Sequence, residues 1–171
     1  MTNTKNIRVG ILMGSDSDWP KIKAVAVALD EFEIGYEVNV MSAHRTPDLV
    51  FHYAQSAKDR GLQVLIAAAG GAAHLAGVCA AHTILPVIGI PVPTDLAGGL
   101  DSLLSTVQMP GDIPVATVGA GMGGPRNAGL LAVQILALSD PLLSEKLFQF
   151  KHGLVEKVKQ RNDNLQKTIT S

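Results

Sequence analysis

Tyr36-Glu37-Val38-Asn39-Val40-Met41 alternates in the period of two expected of a β-strand, and the chain then turns through Ser42-Ala43-His44-Arg45-Thr46 to a proline at position 47. Proline suits the first turn of a helix, where its missing N–H leaves no hydrogen bond unmade, so the segment reads as strand, turn, helix. Repeated strand-helix units build a parallel sheet wound on both faces, and such sheets bind ligands at the carboxyl ends of their strands. The turn therefore puts a titratable imidazole, His44, beside a permanently charged guanidinium, Arg45, on the edge where a ligand belongs. One can move protons while the other holds an anion.

The same pattern extends in both directions. Val9 to Met13, Val64 to Ala69, Val87 to Ile90 and Val115 to Val118 read as further strands, nearly continuous in hydrophobicity as strands covered on both faces must be. Trp19 to Phe32, Pro47 to Arg60, His74 to Ala81 and Leu100 to Val107 read as helices or partial helices between them. Right-handed crossovers then give a flavodoxin-like α/β fold: a doubly wound, five-stranded parallel sheet in a three-layer sandwich. Asn127 to Leu138 is a helix with almost no polar face, more than one sheet can cover, and it points to a homo-oligomer. Asp140-Pro141 supplies an N-cap and an N1 proline for an extra C-terminal helix. We expect a single domain over residues 1–171, with a core of about 7–139 and a helical extension of about 140–165.

Composition narrows the function classes. A chain of 171 residues with 47% hydrophobic content can bury a real core, and its one cysteine, Cys79, lies in the apolar run Val78-Cys79-Ala80-Ala81, where inert packing is expected. Fourteen basic residues stand against 15 acidic ones, with no basic block and no aromatic-basic interleaving, so neither nucleic acid nor a membrane surface is an expected partner. Met1 to Arg8 is polar and lacks the apolar region of a signal peptide, and no apolar stretch is long enough to span a bilayer, so a cytoplasmic location is expected.

Three strand ends carry unusual chemistry and fall on one edge of the expected sheet. After the first strand comes Gly14-Ser15-Asp16-Ser17-Asp18, whose hydroxyls and amides ahead of a helix suit a phosphate. One aspartate can cap the helix and the other can accept from ribose hydroxyls. After the second strand comes the His44 turn, with Arg45 as a phosphate fork unless it is simply solvated. After the third comes Gly70-Gly71-Ala72-Ala73-His74, where small residues let backbone approach a flat ligand or offer N–H groups to a carboxylate; tight packing is the alternative. His74 and His82 lie on one helix without a carboxylate or thiol at metal-ligand spacing, so no metal is expected, and His52 and His152 are assigned to surfaces. Gly119-Ala120-Gly121-Met122-Gly123-Gly124 fits the dinucleotide pattern but sits on the last strand, without the βαβ unit that would hold an adenosine ribose.

Taken jointly, Gly14-Ser15-Asp16-Ser17-Asp18-Trp19, Ser42-Ala43-His44-Arg45-Thr46-Pro47, Ala69-Gly70-Gly71-Ala72-Ala73-His74-Leu75, Gly89-Ile90-Pro91-Val92 and Ile113-Pro114-Val115-Ala116-Thr117-Val118 closely resemble the bacterial-type N5-carboxyaminoimidazole ribonucleotide mutases of purine biosynthesis, from about Arg8 to Leu138. The resemblance implies an isomerase that moves a carboxylate from N5 to C4 of the aminoimidazole ribonucleotide, without ATP, metal or cofactor, in an octamer whose sites are completed by neighbouring chains. It implies that Ser15 and Arg45 hold the 5′-phosphate, Asp18 the ribose hydroxyls, and that His44 is the acid and base. It implies that Ser42, Gly70 and Gly71 hold the migrating carboxylate, with His74 and Leu75 near the ring. The sequence departs from the family pattern at Met109-Pro110-Gly111-Asp112-Ile113-Pro114 and in the glycine-rich loop Ala120 to Arg126.

Two alternatives are carried alongside. An aminoimidazole ribonucleotide carboxylase uses free CO2 on the same fold but typically carries Lys-Gly where this chain has Arg45-Thr46. A non-enzymatic nucleotide-binding or signalling domain shares the layout, but a receiver would need a lysine after the last strand, and Gly119 to Arg126 contains none.

Overall fold

Residues 6–169 are described by a computed structural model of the chain; the first five residues of the polar Met1 to Arg8 stretch lie outside them. Among the described residues, β1 (Ile7–Met13), β2 (Gly35–Val40), β3 (Val64–Ala69), β4 (Val87–Pro91) and β5 (Ala116–Thr117) form one sheet in the order β2-β1-β3-β4-β5. All four pairings are parallel. In register, Met13 stands opposite Val40 on one side and Ala68 on the other, so β1, β2 and β3 end at one height. The three loops singled out in the sequence therefore start from a common edge, at the point where strand order reverses.

Alternation along the strands feeds two helical layers. Leu12, Leu65, Ala67 and Val87 face one way and share a buried cluster with Val50 and Ala54 of α3 (Pro47–Ser56) and Leu75, Ala76 and Cys79 of α4 (Leu75–Ala81). α5 (Leu100–Val107) joins this side, because a Cβ on Gly89 of β4 would meet its Thr106. The other face carries Val9, Ile11, Ile66 and Ile88, all buried. On that side α2 (Ala24–Glu31) and α6 (Gly124–Ala137) approach so closely that a Cβ on Gly129 would stand 2.8 Å from both Ala28 Cβ and Val25 O.

Element boundaries differ from the sequence reading in instructive ways. The expected helix Trp19 to Phe32 is a 3-10 turn (Asp16–Asp18), α1 (Trp19–Ile22) and α2, with a local tightening at Lys23, whose carbonyl accepts from both Ala26 and Val27. α3 stops at Ser56 instead of Arg60, because the chain winds through turns to Gly61 at φ +91. β5 keeps only two residues of Val115 to Val118; Pro114, with no N–H to give, precedes it at the sheet edge. α7 (Pro141–Ile169) runs past the expected end, and Asp140 caps it, its Oδ1 accepting the Leu143 N–H at 3.1 Å. The chain forms two compact units, Met1–Ile135 and Leu136–Ser171.

Among the described residues no helix is long and apolar enough to cross a membrane. Cys79 is fully buried, and burial pushes its thiol up to about 12, which leaves it without a reactive thiolate near neutrality.

Candidate active site

The loops after β1, β2 and β3 enclose a cleft of about 440 Å³, within the range of small-molecule sites. Its walls include Gly14, Ser15 and Asp18 from the first loop, Ser42, His44 and Arg45 from the second, and Gly70, His74 and Leu75 from the third. A shallower depression of about 310 Å³ continues from it along β2, sharing Gly14, Ser15, Ser42 and Arg45.

The first loop is shaped by its own side chains. Ser15 Oγ accepts the Ser17 N–H at 3.3 Å and lies 2.8 Å from Ser17 Oγ, while Asp16 Oδ1 accepts the same Ser17 N–H at 3.0 Å. The choice the sequence left open is thereby made: Asp16 closes the local turn, and Asp18, with no side-chain capping bond, lines the cleft. Burial raises the Asp18 carboxyl above its usual pKa, and Asp16 adds to that, while Lys21 and a backbone hydrogen bond at Ser15 pull the other way.

In the second loop Ser42 is the organiser. Its Oγ accepts the N–H groups of His44 at 3.3 Å and Arg45 at 3.2 Å, and Thr46 closes the turn by accepting the Ser42 N–H at 2.9 Å and donating to the Ser42 carbonyl at 3.1 Å. Ser42 Oγ accepts both of these bonds and retains its own hydroxyl proton. Arg45 reaches over to the end of the neighbouring β1, donating from Nη2 to the Gly14 carbonyl at 3.0 Å, which lays its guanidinium along the first loop and commits one of its five N–H donors.

The third loop brings a partner for His44. His44 Nε2 and His74 Nδ1 are 2.8 Å apart, with ring planes at 82° and centroids 4.9 Å apart. β2 and β3 are separated by β1, which sets their ends two strand spacings, roughly 10 Å, apart. The imidazoles meet over the end of β1, where Gly14 lines the cleft without a side chain. Two rings at that distance share a single N–H···N bond, so one donates while the other accepts.

Eight of the nine residues singled out from the sequence, Ser15, Asp18, Ser42, His44, Arg45, Gly70, His74 and Leu75, line this one cleft. Gly71 does not: at φ +67 its N–H turns away and donates to Ser102 Oγ at 2.9 Å, so that N–H is not offered to a ligand. Leu75, 2% exposed, forms part of the floor. His52 and His152 are exposed, as assigned, and among the described residues no group of three or more His, Cys, Asp or Glu is arranged to hold a metal ion.

Sequence reasoning missed the direct His44 to His74 contact and the role of Ser102. The first left no local signal, since the residues are 30 apart in the chain. The second left only a weak one: Ser102 lies at i, i+4 from Thr106 on α5, a polar pair on a face that packs inward and so asks for buried partners.

Comparison with known proteins agrees with this geometry. A profile described as AIR carboxylase matches residues 8–157. The chain is 55% identical over 160 residues to the N5-carboxyaminoimidazole ribonucleotide mutase of Mycobacterium tuberculosis, covering 94% of this chain and 91% of that one. It is 53% identical over 157 residues to the protein of the same name from Bacillus subtilis, covering 92% and 97%. Among solved structures it is similar to Treponema denticola PurE, at a TM-score of 0.83 and 30% identity, covering 92% of this chain and 97% of that chain. Matches of this length run through all three loops and the sheet that levels them, and on that ground the chain belongs to the AIR carboxylase family.

Proposed function

We propose that this chain is an isomerase of purine biosynthesis that converts N5-carboxyaminoimidazole ribonucleotide to 4-carboxy-5-aminoimidazole ribonucleotide, with His44 as the acid and base. The carrying observation is the cleft itself, in which a pair of imidazoles, a guanidinium, a serine-rich loop and a half-buried carboxylate converge. The mutase names of relatives at 51 to 55% identity support the substrate assignment.

The 5′-phosphate binds between Ser15 and the uncommitted donors of Arg45, and Asp18 accepts from the ribose hydroxyls. Ser42 Oγ–H and the backbone at Gly70 hold the migrating carboxylate; the Gly71 N–H is excluded by its bond to Ser102. His74 and Leu75 bound the ring. Protonated His44 gives its proton to N5, the N5 to carboxyl bond breaks with its electrons returning to nitrogen, and CO2 is released beside the ring. C4 then attacks CO2, forming the new C–C bond, and neutral His44 removes the C4 proton to restore aromaticity. The proton given in the first half is regained in the second, so no cofactor or metal is required. Retaining CO2 within the cleft makes its recapture an intramolecular step.

We place this activity in a single catalytic domain, all of whose cleft residues lie in the first compact unit, in a cytoplasmic homo-oligomer that we assign as an octamer. Leu100, Leu104 and Val107, at i, i+4 and i+7 on α5, are 47%, 48% and 48% exposed, which supports burial against another copy. Purified protein supplied with the N5-carboxylated ribonucleotide, and separately with aminoimidazole ribonucleotide plus bicarbonate, tests the reading. Turnover of the first is expected; efficient turnover of only the second makes the chain a carboxylase, and turnover of neither leaves a binding module.

A further inference from the structure

Behind the third loop lies a polar cluster that the proposed reaction does not use. Ser102 and Thr106, on one face of α5, are 0% and 3% exposed, the two buried polar residues among the described residues in an otherwise apolar core. A buried hydroxyl is costly unless bonded, and alanine would be the better helix former, so a serine at 102 needs a hydrogen bond that offsets both costs. That bond is to Gly71. A backbone N–H can only donate, so Ser102 Oγ accepts from it at 2.9 Å, and the hydroxyl proton is left to point at Asp101 Oδ1, 3.5 Å away. The same Asp101 oxygen accepts from Thr94 Oγ1 at 2.6 Å, a bond that holds the Asp101 carboxyl below its usual pKa and so ionised. Thr106 Oγ1 donates to the Ser102 carbonyl at 2.7 Å.

The other end of this chain of bonds is the active-site turn. Gly71 stands at φ +67, and three residues later comes His74, whose N–H closes the turn on the Ala72 carbonyl at 2.9 Å. A tight turn has little slack, so a shift at Gly71 is passed to His74 and to its 2.8 Å contact with His44.

We propose that Ser102, backed by Asp101 and Thr94, is a positioning residue of this cleft: its buried hydroxyl anchors the Gly71 N–H and so holds the turn between β3 and α4 where His74 meets His44. The inference rests on the mutase reading for its kinetic test but not for its structural one. Ser102 touches neither ligand nor reacting atoms; it acts through His74. Its loss misplaces one imidazole while leaving Ser15 and Arg45, on the other two loops, in place.

The test uses the full chain. Ser102→Ala is expected to lower kcat by about ten- to a hundredfold, with KM for the carboxylated ribonucleotide nearly unchanged. In a His74→Ala background the same change is expected to cost nothing further, because the residue through which it acts is gone. Nitrogen-15 imidazole resonances of His44 and His74 in the ligand-free protein are expected to move in Ser102→Ala. Should that variant fold poorly, Ser102→Cys fills the space with a much weaker acceptor and is read by the same resonances. Unchanged kcat, an equal loss with and without His74, or unmoved resonances in a folded variant would each overturn the proposal. If the wild-type protein turns over neither substrate, the functional reading falls, and the resonances alone decide the positioning role.

Discussion

At the scale of single residues, the division of labour follows from what each side chain has already committed. Asp16 and Ser17 satisfy each other within the first loop, Ser42 holds the backbone of the second, and His44 and Arg45 remain exposed with chemistry to spare. If His44 is the acid and base, His44→Asn should cut kcat by a factor of roughly 10² to 10⁴ while ribonucleotide binding, followed by calorimetry, persists; a variant at full turnover would refute the assignment. Asp18 offers a test in which stability and function diverge. Its folded pKa is raised by burial, so the folded chain holds this proton more tightly than the unfolded one. The contribution of Asp18 to stability is therefore greatest below its unfolded pKa and is lost as pH rises through the folded value, which leaves an ionised Asp18 costing stability at neutral pH. Asp18→Asn is expected to melt higher than wild type at pH 7, with the difference vanishing in acid, and to raise KM by removing the acceptor for ribose. A lower melting temperature at pH 7 would contradict the burial argument.

At the scale of elements, the helices are held by contacts whose closeness the sequence does not advertise. Gly129 sits in α6 because α2 leaves no room for a side chain: a Cβ would lie 2.8 Å from Ala28 Cβ and from the Val25 carbonyl. Alanine improves helix propensity by about 1 kcal/mol, yet a forced separation of packed helices costs about 1–3 kcal/mol. Gly129→Ala is therefore expected to lower the denaturation midpoint despite the better helix former, and an increase would show that α2 and α6 can slide apart freely. The elements were largely legible in advance. Pro47 and Asp140-Pro141 marked two helix starts because a missing N–H and a capping carboxylate act locally. The tails were not: Gly61 ended α3 early and Pro114 shortened β5, since propensity says where an element can run and neighbouring turns decide where it stops.

At the scale of the whole molecule, the proposed oligomer draws on apolar surface that one chain leaves exposed. Leu100, Leu104 and Val107 are exposed at i, i+4 and i+7 on α5, an apolar stripe of the kind that another surface ordinarily covers. Light scattering is expected to report about eight times the 17.9 kDa of one chain, and Leu104→Glu to shift that mass downward by burying a charge in the contact; a wild-type monomer at micromolar concentration would sink the oligomer reading. The sequence by itself determined the layered sheet, the three chemically marked loops and their common edge, because strand period, helix caps and turn residues are written within a few neighbouring positions. It also determined the family, through motifs that recur together. Only the tertiary structure decided that His44 bonds His74 across β1, that Asp18 and not Asp16 faces the cleft, and that Gly71 answers to Ser102 instead of a ligand. Those outcomes depend on which strand lies between two others and on the direction of single N–H bonds, and neither is encoded within reach of the residues concerned.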